Sequence, residues 1–169
     1  MDYASREELL AALRAGGPQV SPRALSADLS DGRCKLFLIW KVLQLRRQQP
    51  RLFSHGDYRA LRARGSHATN VCAFARRAGH ASLIVIAPRL CRRLLDDPAR
   101  LPLGVEVWED TLLELPREQG RGPLRNVLTG TMLEPFAHGN GSAVALGQAL
   151  AEFPVALFAC GDAAQPGTR

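Results

Sequence analysis

Four cysteines, Cys34, Cys72, Cys91 and Cys160, lie at spacings of 38, 19 and 69, so the chain has no CxxC pair and no zinc-ligand pattern. Each sits in or beside an apolar run, which is the pattern of buried thiols in a reducing compartment. His55, His67, His80 and His138 are isolated from one another and from the cysteines, so they read as loop histidines and no metal site is expected. Also missing are GxSxG, HExxH, a Walker loop and GxGxxG. Gly139-Asn140-Gly141-Ser142 begins like a dinucleotide turn but lacks the third glycine and a leading strand, so it reads as a hairpin loop. No apolar run approaches the roughly 18 residues of a membrane span, and the polar, acidic start Met1-Asp2-Tyr3-Ala4-Ser5-Arg6-Glu7-Glu8 is unlike a signal peptide. A soluble cytoplasmic protein is expected. At 169 residues the chain is also too short for a (β/α)₈ barrel, which needs about 200–250.

What is present is an ordinary globular composition, 46% hydrophobic and 22% charged, which argues against wholesale disorder. The net charge of +6 raises the question of a nucleic-acid partner. The distribution argues against one. Residues 1–50 carry 8 basic and 5 acidic side chains, residues 51–169 carry 14 and 11, and no basic run exceeds two residues. Phosphate-binding surfaces cluster their charge. Only Lys35 and Lys41 are lysines among the 22 basic residues, a bias that goes with abundant alanine in GC-rich genomes.

The first fifty residues read as helices. Ser5 and Glu8 form a capping box, Leu9, Leu10 and Leu13 share a face, and Gly16-Gly17-Pro18 stops the helix. Ser21-Pro22 opens a short second helix to Leu29. Asp31 caps a third, running to about Gln49, whose centre Leu36-Phe37-Leu38-Ile39-Trp40 is apolar on almost every face and has no evident covering partner. After Pro50 the rhythm becomes that of strands: Tyr58–Leu61, Asn70–Arg76, Leu83–Ala87 as a central strand, Val105–Trp108, Thr111–Leu115, Asn126–Thr129 and Phe153–Phe158, with turns at Gly79 and over Gln119–Pro123 and a short helix at Cys91–Leu95. The fold class expected is therefore α+β, with N-terminal helices over residues 1–54, an antiparallel β-sandwich over residues 55–160 and a frayed tail over residues 161–169.

Candidate functional side chains are few. Asp96-Asp97 and Glu109-Asp110 are adjacent carboxylates, and neighbours in a strand point to opposite faces, so neither pair makes a catalytic site. Trp108, Trp40 and Phe136 could stack on sugar rings. Core packing is the better reading for Trp40 and Phe136, whereas the acidic neighbours of Trp108 point to partial exposure.

The segment Asp31-Gly32-Arg33-Cys34-Lys35-Leu36 resembles the DGRIKL stretch of the maltooligosyl trehalose synthases, glucosylmutases of the α-amylase superfamily. The resemblance continues through Leu45-Arg46-Arg47, Gly56-Asp57-Tyr58, Val71–Arg76, Leu101-Pro102-Leu103-Gly104, Trp108, Asp110-Thr111, Arg125–Gly130 and Phe153–Leu157. It covers about residues 1–158. There are departures: Cys34 replaces a larger aliphatic residue, Leu124 replaces a Trp or similar residue, and residues 132–140 follow no family pattern.

The resemblance implies that the helices are the end of a catalytic barrel and that the strands are the C-terminal β-sandwich. It implies intramolecular transglycosylation, converting the reducing-end α-1,4 bond of a maltooligosaccharide to an α,α-1,1 bond by a carboxylate nucleophile and a carboxylic acid/base. In the family those carboxylates precede the region matched here, so no catalytic, cofactor-binding or metal residue is carried over, and the chain by itself is expected to be inactive. Met1-Asp2-Tyr3 matches a family stretch reading Pro-Val-Asp-Tyr, which predicts a reading frame begun at an internal valine codon of a split or truncated gene. The partners implied are a separately encoded catalytic barrel, met through the apolar face of residues 31–49, or a maltooligosaccharide. A membrane and a nucleic acid are not expected.

Overall fold

A computed structural model describes residues 3–16, 20–95, 97, 100–117 and 122–160. Four helices come first: α1 (Tyr3–Ala15), α2 (Pro22–Ala27), α3 (Arg33–Gln48) and α4 (Pro50–Ser54). Ten strands and two four-residue helices follow: β1 (Asp57–Ala60), β2 (Ala63–Arg64), β3 (Val71–Ala78), β4 (Ala81–Pro88), α5 (Val105–Trp108), β5 (Leu112–Leu115), β6 (Leu124–Asn126), β7 (Met132–Leu133), β8 (Phe136–His138), β9 (Gly141–Ala145), α6 (Leu146–Ala149) and β10 (Ala156–Cys160). The strands form two open antiparallel sheets, of order β1-β3-β4-β10-β6-β7 and β2-β5-β9-β8. The α+β class and the antiparallel sheets agree with the sequence.

Period-two alternation explains the layering. In β4, Ile84 and Ile86 face the smaller sheet and Leu83 faces the helices. In β10, Ala156 and Phe158 face the smaller sheet and Leu157 and Ala159 face the helices. Between the sheets, these residues meet Leu113, Leu115 and Val144 around the fully buried Trp108. On the other face, Leu13, Leu25, Phe37, Leu45 and Leu52 of α1–α4 pack on Leu83, Leu157 and Ala159. The apolar helix thus finds a partner inside the chain, on one of its faces. β4 is central, paired with β3 and β10, and Gly79 (φ 61) makes the tight β3–β4 turn.

Local expectations fared unevenly. Ser21 caps α2, accepting from the Ala24 N–H at 3.2 Å. Asp31 lies one residue before the cap position, Gly32, and its carboxylate accepts the Arg33 N–H at 2.9 Å. α1 begins by Tyr3, so Ser5 lies inside it and is not its cap. Residues 105–108 form a helical turn and not a strand. Tertiary packing overrides β propensity here, because one turn brings the Trp108 indole inward, where its N–H donates to the Pro102 carbonyl at 2.8 Å. The expected strand Asn126–Thr129 ends at Asn126, since the buried Asn126 side chain accepts the Leu128 N–H at 3.0 Å and turns the chain. The last strand starts at Ala156, three residues later than expected, leaving Phe153 to fill the helix-facing core. The short helix expected near Cys91 is a 3₁₀ turn, Cys91–Arg93. Residues 119–121 and 161–169 lie outside the described residues.

Candidate functional site

α3 is a two-faced helix. Cys34, Phe37 and Leu45 are buried toward the sheet, and Phe37 meets Phe153 edge-on with ring centres 5.7 Å apart. Leu36, Ile39, Trp40 and Leu43 recur at helical spacing on the other side. With Leu10 of α1 and Phe53 of α4 they line a groove of about 900 Å³. Ile39 is 44% and Leu43 50% exposed, high for branched aliphatic residues at positions i and i+4 of one helix. Arg14, Arg46 and Arg47 lie at this groove, and none of its described lining residues is acidic. The surface is therefore apolar with a positive border. Elsewhere on α3, the Lys41 ammonium lies 4.9 Å from the Trp40 ring centre and 5.6 Å from that of Phe37. Burial, and then the charge of Arg125, hold its pKa below the ordinary lysine range.

Two of the three aromatic candidates change places, while Trp40 packs against the helix-facing core as expected, edge-on to the buried Phe37. Trp108, expected to be partly exposed, is fully buried and cannot meet a ligand. Its acidic neighbours belong to the turn that follows, not to its own surroundings. Phe136, expected in the core, is 42% exposed on β8, and Trp40 is half-buried at the groove. The thiols are also corrected: only Cys34 is buried, Cys91 and Cys160 are half-buried and Cys72 is exposed. Even-numbered positions of β3 turn away from the sandwich core, so the apolar context of Cys72 does not bury it. Burial raises the Cys34 thiol pKa, with Asp31 adding to the effect.

Among the carboxylates, Asp110 is engaged structurally. It accepts the Ser66 N–H at 2.8 Å, and that bond, then the Ser66 side chain, lower its pKa from the ordinary 3.8. Glu109 is exposed, 3.7 Å from the His67 ring. Asp96 lies outside the described residues. No group of three or more His, Cys, Asp or Glu side chains able to hold a metal occurs among the described residues. No helix among them is long and apolar enough to cross a membrane. Sequence reasoning reached the α3 face but missed Leu10, Arg14 and Phe53, which come from other helices. Only the helix packing brings them to it.

No family model matches the sequence, and no curated protein matches it. Among solved structures, a mutant of maltooligosyltrehalose synthase from Arthrobacter ramosus matches with a TM-score of 0.63 and 28% sequence identity, covering 94% of this chain and 17% of that one. The chain thus spans about a sixth of that protein's length. The similarity is to a C-terminal portion of such an enzyme.

Proposed function

We propose that this chain acts as the C-terminal module of a maltooligosyl trehalose synthase, a (1→4)-α-D-glucan 1-α-D-glucosylmutase of trehalose biosynthesis, with no mutase activity of its own. The carrying observation is 28% identity sustained over 94% of the chain against a solved synthase. The apolar groove supports the reading. A (β/α)₈ barrel closes its outer ring with amphipathic helices, and α3 has one face already seated on the sheet and a second left open at Ile39 and Leu43. On this reading α1–α4 (residues 1–54) are the last barrel helices, and residues 55–160 form the sandwich that follows. The open face receives a catalytic barrel polypeptide, which supplies the nucleophile and the acid/base.

Two experiments test the proposal. Purified chain incubated with maltohexaose is expected to leave every reducing end intact, and the appearance of trehalosyl ends would overturn the claim of inactivity. Secondly, this chain is grafted in place of the matching portion of the Arthrobacter ramosus enzyme. The graft is expected to form non-reducing product, and the same graft carrying Ile39→Glu and Leu43→Lys is expected not to. A graft indifferent to that pair of changes would remove the groove from the reading.

A further inference from the structure

No basic run in the sequence exceeds two residues, yet the fold gathers three arginines from separate segments at one cleft. Arg59 lies on β1 opposite Ala75, which is buried between the sheets, so Arg59 stands on that side of the larger sheet's edge. The chain then crosses to the smaller sheet, where Arg64 of β2 pairs with Leu112 of β5. Leu113 and Leu115 are buried in the core, so Glu114 between them turns outward beside Arg64. Arg64 Nε donates to Glu114 Oε1 at 2.9 Å, and His138 Nε2 lies 4.0 Å from the same oxygen. Arg117, just after β5, lines the same cleft. The cleft is open and holds about 770 Å³, within the range of small-ligand clefts. Gly139 and Gly141 of the β8–β9 turn line it without side chains to fill it.

We propose that this cleft binds an oligophosphate, a chain of two or more phosphoryl groups, free or carried by a nucleotide. Charge sets the sign of the ligand. Three guanidiniums face one carboxylate among the described lining residues, and Arg64 already engages that carboxylate. Arg59 and Arg117 are exposed and have no ion-pair partner among the described residues. A cation entering the cleft meets net repulsion, whereas an anion relieves the mutual repulsion of the guanidiniums. Phosphoryl oxygens match the guanidinium fork. The Arg64 Nε–H is taken up by Glu114, which leaves the N–H groups of both Nη atoms for a ligand. His138 adds a ring nitrogen, and a further positive charge once protonated. A separate pair of oxygens for each of three forks is more than one phosphate group carries, and a chain of phosphoryl groups supplies them. The described lining includes no Phe, Tyr or Trp, so the bases of a single-stranded nucleic acid would find no stacking platform there. That favours a small ligand held by its phosphates.

The test is a titration of the isotopically labelled full chain followed by amide chemical shifts, in about 50 mM salt and without divalent metal. The probes are sodium triphosphate, ATP, inorganic phosphate and a short oligothymidylate. Triphosphate is expected to shift Arg64, Asn140 and Gly141 and to saturate below about 1 mM. Raising the salt to about 200 mM is expected to weaken it several-fold, because the contacts are ionic. Arg59→Gln with Arg117→Gln alters exposed positions, so the parent spectrum is expected elsewhere, with binding weakened about ten-fold or more. Glu114→Gln keeps an oxygen for the Arg64 N–H and removes the opposing charge, so binding is expected to tighten about two- to five-fold. Triphosphate that leaves those amides unmoved, or that binds the double variant as well as the parent, would overturn the site. So would weakening by Glu114→Gln, or inorganic phosphate binding as tightly as triphosphate, which marks an adventitious ion only. Oligothymidylate binding without triphosphate binding would overturn it in favour of a nucleic-acid surface. ATP binding like triphosphate keeps the site and points to a nucleotide, and triphosphate binding without ATP keeps it for the free chain. The apolar groove lies on the opposite layer, so these outcomes leave the module reading untouched.

Discussion

On one face of the six-stranded sheet, Ile84, Ile86, Ala156 and Phe158 meet the smaller sheet and enclose Trp108, Leu146 and Leu150 with essentially no exposure. On the opposite face, Leu83, Leu157 and Ala159 meet α1–α4, and that contact is buried too. The difference lies one layer further out. The smaller sheet presents solvent with Arg64, Glu114 and His138, whereas the helical layer presents Ile39, Leu43 and a groove walled by Leu10, Trp40 and Phe53. One side of the molecule ends in a polar surface and the other ends in an apolar one. Apolar clefts rimmed by charge mark places where another surface packs. The contrast teaches that the chain's interior is closed while its helical layer leaves an apolar face open.

The largest effect that could break this contrast is in the sandwich. Trp108→Ala should cost about 3–5 kcal/mol, from a large cavity and the loss of the indole bond to the Pro102 carbonyl. Thermal unfolding followed by circular dichroism should fall by about 10 °C or more, or the chain should fail to fold. A loss of only a degree or two would mean that the inter-sheet core is not the molecule's main stabilising unit. Next in size is Gly147→Ala. A Cβ there would lie 2.6 Å from Val105 Cα, so α5 and α6 would have to separate. Helix propensity alone predicts a gain of up to about 1 kcal/mol. The overlap predicts instead a loss of about 1–3 kcal/mol, and the sign of the measured change decides between them.

Much of this architecture was legible in the sequence, and the failures share a cause. The continuous run Leu83–Ala87 predicts the central strand because burial on both faces leaves no polar position, and both sheet faces are in fact covered. Ser21-Pro22 predicts its helix start because capping is local chemistry. Val105–Trp108 misled because its β propensity is a local signal, and the indole's partner at Pro102 decides the outcome. The exposure of Phe136 was likewise hidden. It depends on which face of β8 turns outward, which the register with Ala143 fixes. The Arg64–Glu114 pair, 50 residues apart, has no sequence signature at all.

Two smaller changes probe the sandwich's rim. Glu109 holds φ 46 and ψ −122, a region that disfavours side chains, and its carboxylate makes an exposed contact with His67. Glu109→Gly should therefore stabilise by about 1 kcal/mol, the strain relieved outweighing the entropy of glycine, and a lowered Tm would show the strain is not there. The neighbouring Asp110 ties the turn to Ser66. Its folded pKa is depressed, so its contribution is present above the unfolded carboxylate pKa and fades as pH falls through the folded value. Asp110→Asn should thus unfold at a lower temperature than the parent at pH 7. The difference should close in acid, below the ordinary pKa of 3.8. A difference that persisted in acid would assign the effect to packing and not to charge.

The smallest expected effect sharpens the contrast most. Ile39→Glu with Leu43→Lys replaces two half-exposed apolar side chains by an acid–base pair in the favourable i, i+4 order. If the helical layer's outer face is in contact with nothing inside the chain, stability should stay within about 0.5 kcal/mol of the parent. The groove's affinity for any covering surface should nevertheless collapse, because a buried carboxylate and ammonium would then face apolar atoms. Gel filtration across a concentration series reads the second part. A parent that associates through this face and a double variant that stays monomeric would mark the face as an interface. A Tm loss on the scale of Trp108→Ala would show instead that Ile39 and Leu43 belong to the interior, and the helical layer would then be as closed as the sandwich beneath it.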